Sequence, residues 1–161
     1  MSTTGVVFCG VGGHGVLTAA EVLAAAALVA GHDVKKSEVH GMAQRGGSVT
    51  SHVRFGPAVR SPLVPLGTAG AIVSTVASEA TRNRPYLAPG GVVITPTDDL
   101  RRIVTNRRVL NTALLGALST HLDIPAEAWL AAIRRCVPPG TEEINLEAFE
   151  AGRGWARPGP A

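Results

Sequence analysis

The stretch VVFCGVGGHGVLTAAEVLAAAALVAG, Val6 to Gly31, limits the fold of this chain more than any other. Val6 to Cys9 is a continuous apolar run bounded by glycines, which reads as a strand buried on both faces of a parallel sheet. Val16 to Gly31 is apolar almost all round, so it reads as a helix packed on more than one side, with Gly31 as the residue that ends it. Between them lies GVGGHG, in which Gly10, Gly12 and Gly15 match the spacing G-x-G-x-x-G in the strand-to-helix context such a turn requires. Glycines admit close approach of a ligand to the backbone, and a helix N-terminus offers free N–H groups and the positive end of its dipole to an anion. Gly10, Gly12, Gly13 and Gly15 are therefore candidate cofactor-binding residues. The acidic residue that should hold a ribose about 20 positions on is missing. Val34-Lys35-Lys36 occupies that region, where lysines would suit a phosphorylated ribose but Glu38 lies close by. A tight βα turn whose glycines serve only helix–strand packing is the other reading.

The rest of the chain alternates strand and helix signals. Asp33–Glu38 reads as a short strand, and Ser48–Phe55 alternates so well that it reads as a strand with one polar face, antiparallel to its neighbours. Pro57–Pro65 is a proline-broken, edge-like stretch. Ala69–Ser74 reads as a strand, Val76–Leu87 as a helix, and Val92–Thr95 as a further strand after Pro89-Gly90-Gly91. Two helices, Asn111–Leu122 and Ala126–Cys136, flank Asp123-Ile124-Pro125. On the first, Ala113, Leu114, Ala117, Leu118 and His121 share a face, and Asn111 has the residue type of an N-cap. Asp98 and Asp99 read as a solvated turn, and Trp129 as packing or interface. The predicted fold is a three-layer α/β sandwich with a mostly parallel, mixed sheet. One domain over residues 1–152 and a flexible tail over 153–161 are expected.

Composition narrows the function classes. Only 4% of residues are aromatic, so the core must come from Val, Leu, Ile and Ala. The net charge of +3 is scattered rather than striped, which does not indicate a nucleic-acid partner. The two cysteines, Cys9 and Cys136, form no C-x-x-C pair and no iron–sulfur or zinc ligand set. The N-terminus has no basic region before an apolar run, and Val22–Ala30 is too short to span a bilayer. The expectation is a cytoplasmic chain with no membrane partner.

A second segment stands out. HGMAQRGG, His40 to Gly47, lies between two strand-like stretches and carries more donors than a connector needs. Arg45 offers a planar fork suited to a carboxylate or phosphate, Gln44 can donate and accept, and Gly46 and Gly47 let the backbone pass close to a ligand or another chain. Arg45 could equally be an internal clamp that pairs Glu38 or caps helix carbonyls. RGG occurs once, so it is no RNA-binding repeat.

Taken whole, the run from Gly10 to Gly56 resembles the gamma subunit of 2-oxoacid:ferredoxin oxidoreductases, closest to the small subunit of the indolepyruvate (arylpyruvate) branch. The resemblance continues through SPLVPLG (Ser61–Gly67), YLAPGGVVI (Tyr86–Ile94), NTALLGAL (Asn111–Leu118) and INLEAFEAG (Ile144–Gly152), and KKSEVHGMAQRGGSV is its most specific part. It implies a Rossmann-like α/β/α fold with a mixed sheet. It implies work inside a heteromeric complex that decarboxylates pyruvate, indolepyruvate or another 2-oxoacid on thiamine diphosphate and magnesium. Electrons would leave through iron–sulfur clusters to ferredoxin, and coenzyme A would take the acyl group. The thiamine and cluster sites would belong to a large catalytic partner, leaving this chain with no catalytic and no metal-binding residue and inactive alone. Within that frame Gln44, Arg45, Gly46 and Gly47 join the glycine loop as candidate cofactor-binding residues in a loop facing the active site or an interface. Three departures stand against the resemblance: His14 in place of Gln, Gly70 in place of Asp, and a shortened stretch between Ile94 and Asn111. A free-standing NAD(P)-binding Rossmann-type oxidoreductase is the alternative. A scaffold that keeps the fold without the redox context is a third.

Overall fold

The computed structural model describes residues 2–40 and 46–157. Five strands among them form one sheet in the order β2-β3-β1-β4-β5: β1 Thr4–Val11, β2 Asp33–His40, β3 Ser48–Gly56, β4 Ala69–Ser74 and β5 Leu87–Ile94. β3 runs antiparallel to both β1 and β2, while β1–β4 and β4–β5 are parallel. Four strands thus point one way and β3 alone is reversed, giving the mixed, mostly parallel sheet that the patterning predicts. The link from His40 to Ser48 is too short for a crossover helix, so an antiparallel return is the one available path.

Helices α1 Val16–Val29, α4 Leu110–Ser119, α5 Ala126–Cys136 and α6 Glu142–Ala156 cover one face of the sheet. Val6, Phe8, Val53, Phe55, Ala71 and Val73 point into that layer and meet a core containing Leu23, Leu114, Trp129 and Phe149. α4 and α6 touch backbone to backbone. A Cβ on Gly116 would run into the Phe149 carbonyl, and one on Gly152 into that of Ala113. The buried Thr112 hydroxyl donates to Asn145 Oδ1 across the same seam at 2.6 Å. α1 ends as the sequence predicts. Gly31 takes φ 92°, its N–H reaches Leu28 O, and the N–H of His32 reaches Ala27 O, which satisfies two of the last carbonyls.

The other face is covered thinly. Val7, Cys9, Val64, Ala69 and Ile72 form a small apolar cluster under residues 57–68 and helix α2, Ala77–Asn83. Here β3 turns its polar residues inward. His52 Nδ1 accepts the Val64 N–H at 3.0 Å, and Arg54 Nη1 donates to Ser61 O at 2.7 Å. The polar face of β3 is therefore covered rather than solvated, and residues 57–65 cross the sheet instead of forming an edge.

Other expectations shift. The helix expected over Val76–Leu87 stops at Asn83, and a 3-10 turn, Arg84–Tyr86, carries the chain past Pro85, which has no N–H to continue it. β5 begins at Leu87, ahead of the expected Val92. Asp98 and Asp99 open a short helix α3, Asp98–Ile103, capped by Thr97 Oγ1 accepting from the Leu100 N–H at 3.2 Å. α4 ends at Ser119, so His121 is exposed beyond it rather than on its buried face. α6 runs through Gly152 to Ala156, so helix replaces the first residues of the expected 153–161 tail; residues 158–161 lie outside the described residues.

Candidate functional site at the carboxyl ends of β1 and β4

The glycine loop leaves β1 at the edge of the sheet where two parallel strands end side by side, the usual place for a crevice in an α/β fold. Two of its glycines are required by packing. A Cβ on Gly10 would strike Thr75 Oγ1 and come within 2.9 Å of Val16, and one on Gly15 would strike the Asn111 amide. Gly15 is also the N-cap of α1, with φ 75°, and no side chain caps the helix start. Gly13, φ 92°, faces open space. The packing reading thus accounts for Gly10 and Gly15, and the start of α1 has no side-chain cap.

Residues from distant parts of the chain build the walls. His14 Nδ1 lies 3.1 Å from Thr75 Oγ1, and the Thr75 N–H donates to Cys9 O at 3.0 Å. Asn111 is not an N-cap. It is the second residue of α4, buried, and its Nδ2 donates to Gly15 O at 3.0 Å, fixing the α1 start from across the cleft. The cleft between them measures about 680 Å³, a volume suited to a nucleotide-sized ligand. Arg101, Arg107 and Arg108 line its outer wall. Arg101 keeps a loose ion pair with Asp98 at 3.7 Å. Arg107 and Arg108 stand exposed on a single 3-10 turn, Arg107–Val109, with no ion pair among the described residues. Two guanidinium groups with no ion pair among the described residues thus line one cavity with Gly13 and His14, which lead into α1, a donor set that can accept an anion.

The second glycine pair meets the first loop. The Gly12 N–H donates to Gly47 O at 3.0 Å, and Ser48, directly opposite Val11 in the sheet register, follows. Gly10, Gly12, Gly13, Gly15, Gly46 and Gly47 therefore gather at one end of the sheet. Gln44 and Arg45 lie outside the described residues. Sequence reasoning missed Thr75, Asn111, Arg107 and Arg108. Arg107-Arg108 is one of three Arg-Arg pairs in the sequence, and only the fold brings it to the glycine loop.

The Cys9 thiol is fully buried. Burial in β1 pushes its thiol up to about 11, and it donates to Glu79 O at 3.6 Å. Among the described residues no group of His, Cys, Asp and Glu could hold a metal ion. No helix among them is long and apolar enough to cross a membrane. The dinucleotide reading loses its geometry. The strand beside β1 on the ribose side is antiparallel β3, not the parallel strand whose carboxyl end supplies the acidic residue. Glu38 is two strands away, on β2, where its carboxylate takes Lys36 Nζ at 3.0 Å.

The family described as pyruvate ferredoxin/flavodoxin oxidoreductase matches residues 5–103, which include the glycine loop and all of the five described strands except Thr4. The chain belongs to this family. A curated member, the indolepyruvate oxidoreductase subunit IorB of Thermococcus kodakarensis, is 38% identical, with 94% of this chain and 95% of that subunit covered. Their alignment runs over 192 positions against a chain of 161 residues, so the relative carries stretches with no counterpart here. Two solved structures share the fold. One is the gamma subunit of a keto/oxoacid ferredoxin oxidoreductase from Geobacter sulfurreducens, with TM-score 0.78, 24% identity and coverage of 95% of this chain and 98% of that one. The other is 2-oxoglutarate:ferredoxin oxidoreductase from Magnetococcus marinus, with TM-score 0.81 and 19% identity, where 97% of this chain matches 31% of a longer one. The family match spans the strand, glycine loop and helix read from the sequence, and both solved structures share the fold.

Proposed function

We propose that this chain is the small, gamma-type subunit of a thiamine-diphosphate-dependent 2-oxoacid:ferredoxin oxidoreductase that turns a 2-oxoacid into its acyl-coenzyme A. The observation that carries this is the 38% identity to an indolepyruvate oxidoreductase subunit along nearly the whole of both chains. An arylpyruvate such as indolepyruvate is the substrate class this favours. The residues here do not suit the redox groups of such a complex. A cluster needs several thiolates together, whereas Cys9 is sealed in β1 and Cys136 ends α5. Thiamine diphosphate, magnesium and the clusters then belong to a large catalytic partner, which passes electrons to ferredoxin.

What this chain supplies is binding. The cleft sets Gly13 and His14, which lead into α1, with Arg107 and Arg108 around one cavity, and we assign the phosphates of coenzyme A to it. Arg45, two residues before Gly47 in the sequence, is proposed to hold an anionic group of coenzyme A or of the partner chain. Co-expression with the large subunit tests the reading. The pair should reduce a dye with an arylpyruvate and coenzyme A, and the lone chain should not. Turnover by the lone chain, or micromolar binding of NADH or NADPH, would favour a free-standing dehydrogenase. Arg45→Ala should raise the apparent coenzyme A constant or weaken the complex by roughly ten- to a hundred-fold, the size of one charge-assisted hydrogen bond. An unchanged activity per folded molecule with a lowered melting temperature would make Arg45 a clamp.

A further inference from the structure

Glu79 lies in the first turn of α2 with only 13% of its side chain exposed. Its Oε1 accepts the Ser48 hydroxyl at 2.8 Å, and Arg82 Nη1 donates to the same hydroxyl at 2.7 Å. Ser48 thus donates on one side and accepts on the other. The backbone of Glu79 is tied as well, since its carbonyl accepts both the Cys9 thiol at 3.6 Å and Asn83 Nδ2 at 2.9 Å. Its other carboxylate oxygen, Oε2, is buried with no partner among the described residues. A buried acceptor left unpaired costs its lost hydration, and Gln or Leu would fill this space without a buried charge. The same Oε1 lies 3.5 Å from Arg82 Nη1, so the carboxylate holds both Ser48 and the guanidinium that donates to it.

Ser48 is the residue after Gly47, whose carbonyl takes the Gly12 N–H at 3.0 Å. We infer that Glu79 is a positioning residue that, through Ser48, locks the Gly46-Gly47 pair onto the glycine loop. This rests on the proposed site. It adds a residue that touches no ligand but sets the distance between the two loops that would. The sheet register offers the rival account, because Val11 and Ser48 are already paired.

Amide hydrogen exchange of the purified full chain, read at Gly12, separates the two. In Glu79→Ala and in Ser48→Ala the Gly12 N–H should exchange about tenfold faster, a factor equal to about one hydrogen bond's net strength, while Val7 in the same strand stays protected. The double variant should show no further gain, as expected of one coupled unit. Glu79→Gln should lie between, because its amide oxygen still accepts from Ser48. Gly12 protection equal to wild type in Glu79→Ala, or equal acceleration at Val7, would overturn the inference. In the complex with the large subunit, Glu79→Ala should raise the coenzyme A KM several-fold at constant kcat, and Glu79→Gln should recover part of it. An unmoved KM beside an active wild-type complex would remove the residue from the site. Silence of the wild-type complex would instead sink the functional reading and leave the exchange result to stand on its own.

Discussion

The two faces of the sheet are held by different physics. The face under α1, α4, α5 and α6 is almost entirely apolar and closes by shape, with Trp129 1% exposed and Gly116 and Gly152 letting two helix backbones touch. The face under α2 and residues 57–68 has a small apolar cluster and is stitched by directed bonds: His52 to Val64, Arg54 to Ser61, Ser48 to Glu79. Shape closure is strong and indifferent to pH or charge. Directed bonds are individually weaker but fix the position of single groups. The loops of the proposed site take their register from the second kind of face and their rigidity from the first.

Substitutions can break or sharpen that contrast. The largest effect should come from Trp129→Ala, which leaves a cavity in the thick layer and should cost about 3–5 kcal/mol in urea unfolding. Next is Gly116→Val. Its side chain meets a carbonyl that cannot move aside, and a loss of about 1–3 kcal/mol is expected, with α4 and α6 forced apart. If either change left stability intact, the thick face would not be the source of it.

On the thin face, His52→Ala should cost about 1–3 kcal/mol, because the Val64 N–H loses its acceptor. The wild-type chain should also show a pH dependence from this residue. Burial holds the imidazole below its ordinary value, and Nδ1 must stay unprotonated to accept from Val64. The unfolded chain therefore binds the proton first. Stability from His52 is complete above about pH 6.5 and falls as the pH drops through the folded value. Melting temperatures from pH 8 to 5 should decline more steeply for wild type than for His52→Gln. Equal slopes would show that the crossing segment does not depend on that bond.

The smallest effect on stability should come from Arg107→Ala with Arg108→Ala. Both residues are exposed and unpaired among the described residues. Unfolding should shift by less than about 0.5 kcal/mol. The coenzyme A KM of the complex should rise roughly ten- to a hundred-fold. A large stability loss with an unchanged KM would return the pair to a structural role.

Much was readable from local pattern. The run from Val6 to Gly31 reads as strand, turn and helix because glycine spacing and apolar continuity are short-range properties, and each element lies where they place it. Ala69–Ser74 and Ala126–Cys136 were likewise bounded by their own residues. Ser48–Phe55 showed by alternation that its two faces differ. It could not show that the polar one would be covered, because the cover comes from residues 57–68 folding back across the sheet. α6 was missed because its apolar side is interrupted by Gly152, whose place makes sense only against Ala113 of α4.

The site lay further from reach. Its glycines are contiguous and announce themselves, but what they meet is set by contacts between residues far apart in the chain. Asn111 reaches Gly15 across 96 positions, and Glu79 reaches Ser48 across 31. No periodicity encodes such pairs. Local sequence determined the strand, the turn and the helix of this protein through backbone preference and apolar repeat. Only the closing of the sheet, in which β4 comes to lie beside β1 and brings Thr75, α2 and the arginine turn with it, decided that these pieces form one cleft.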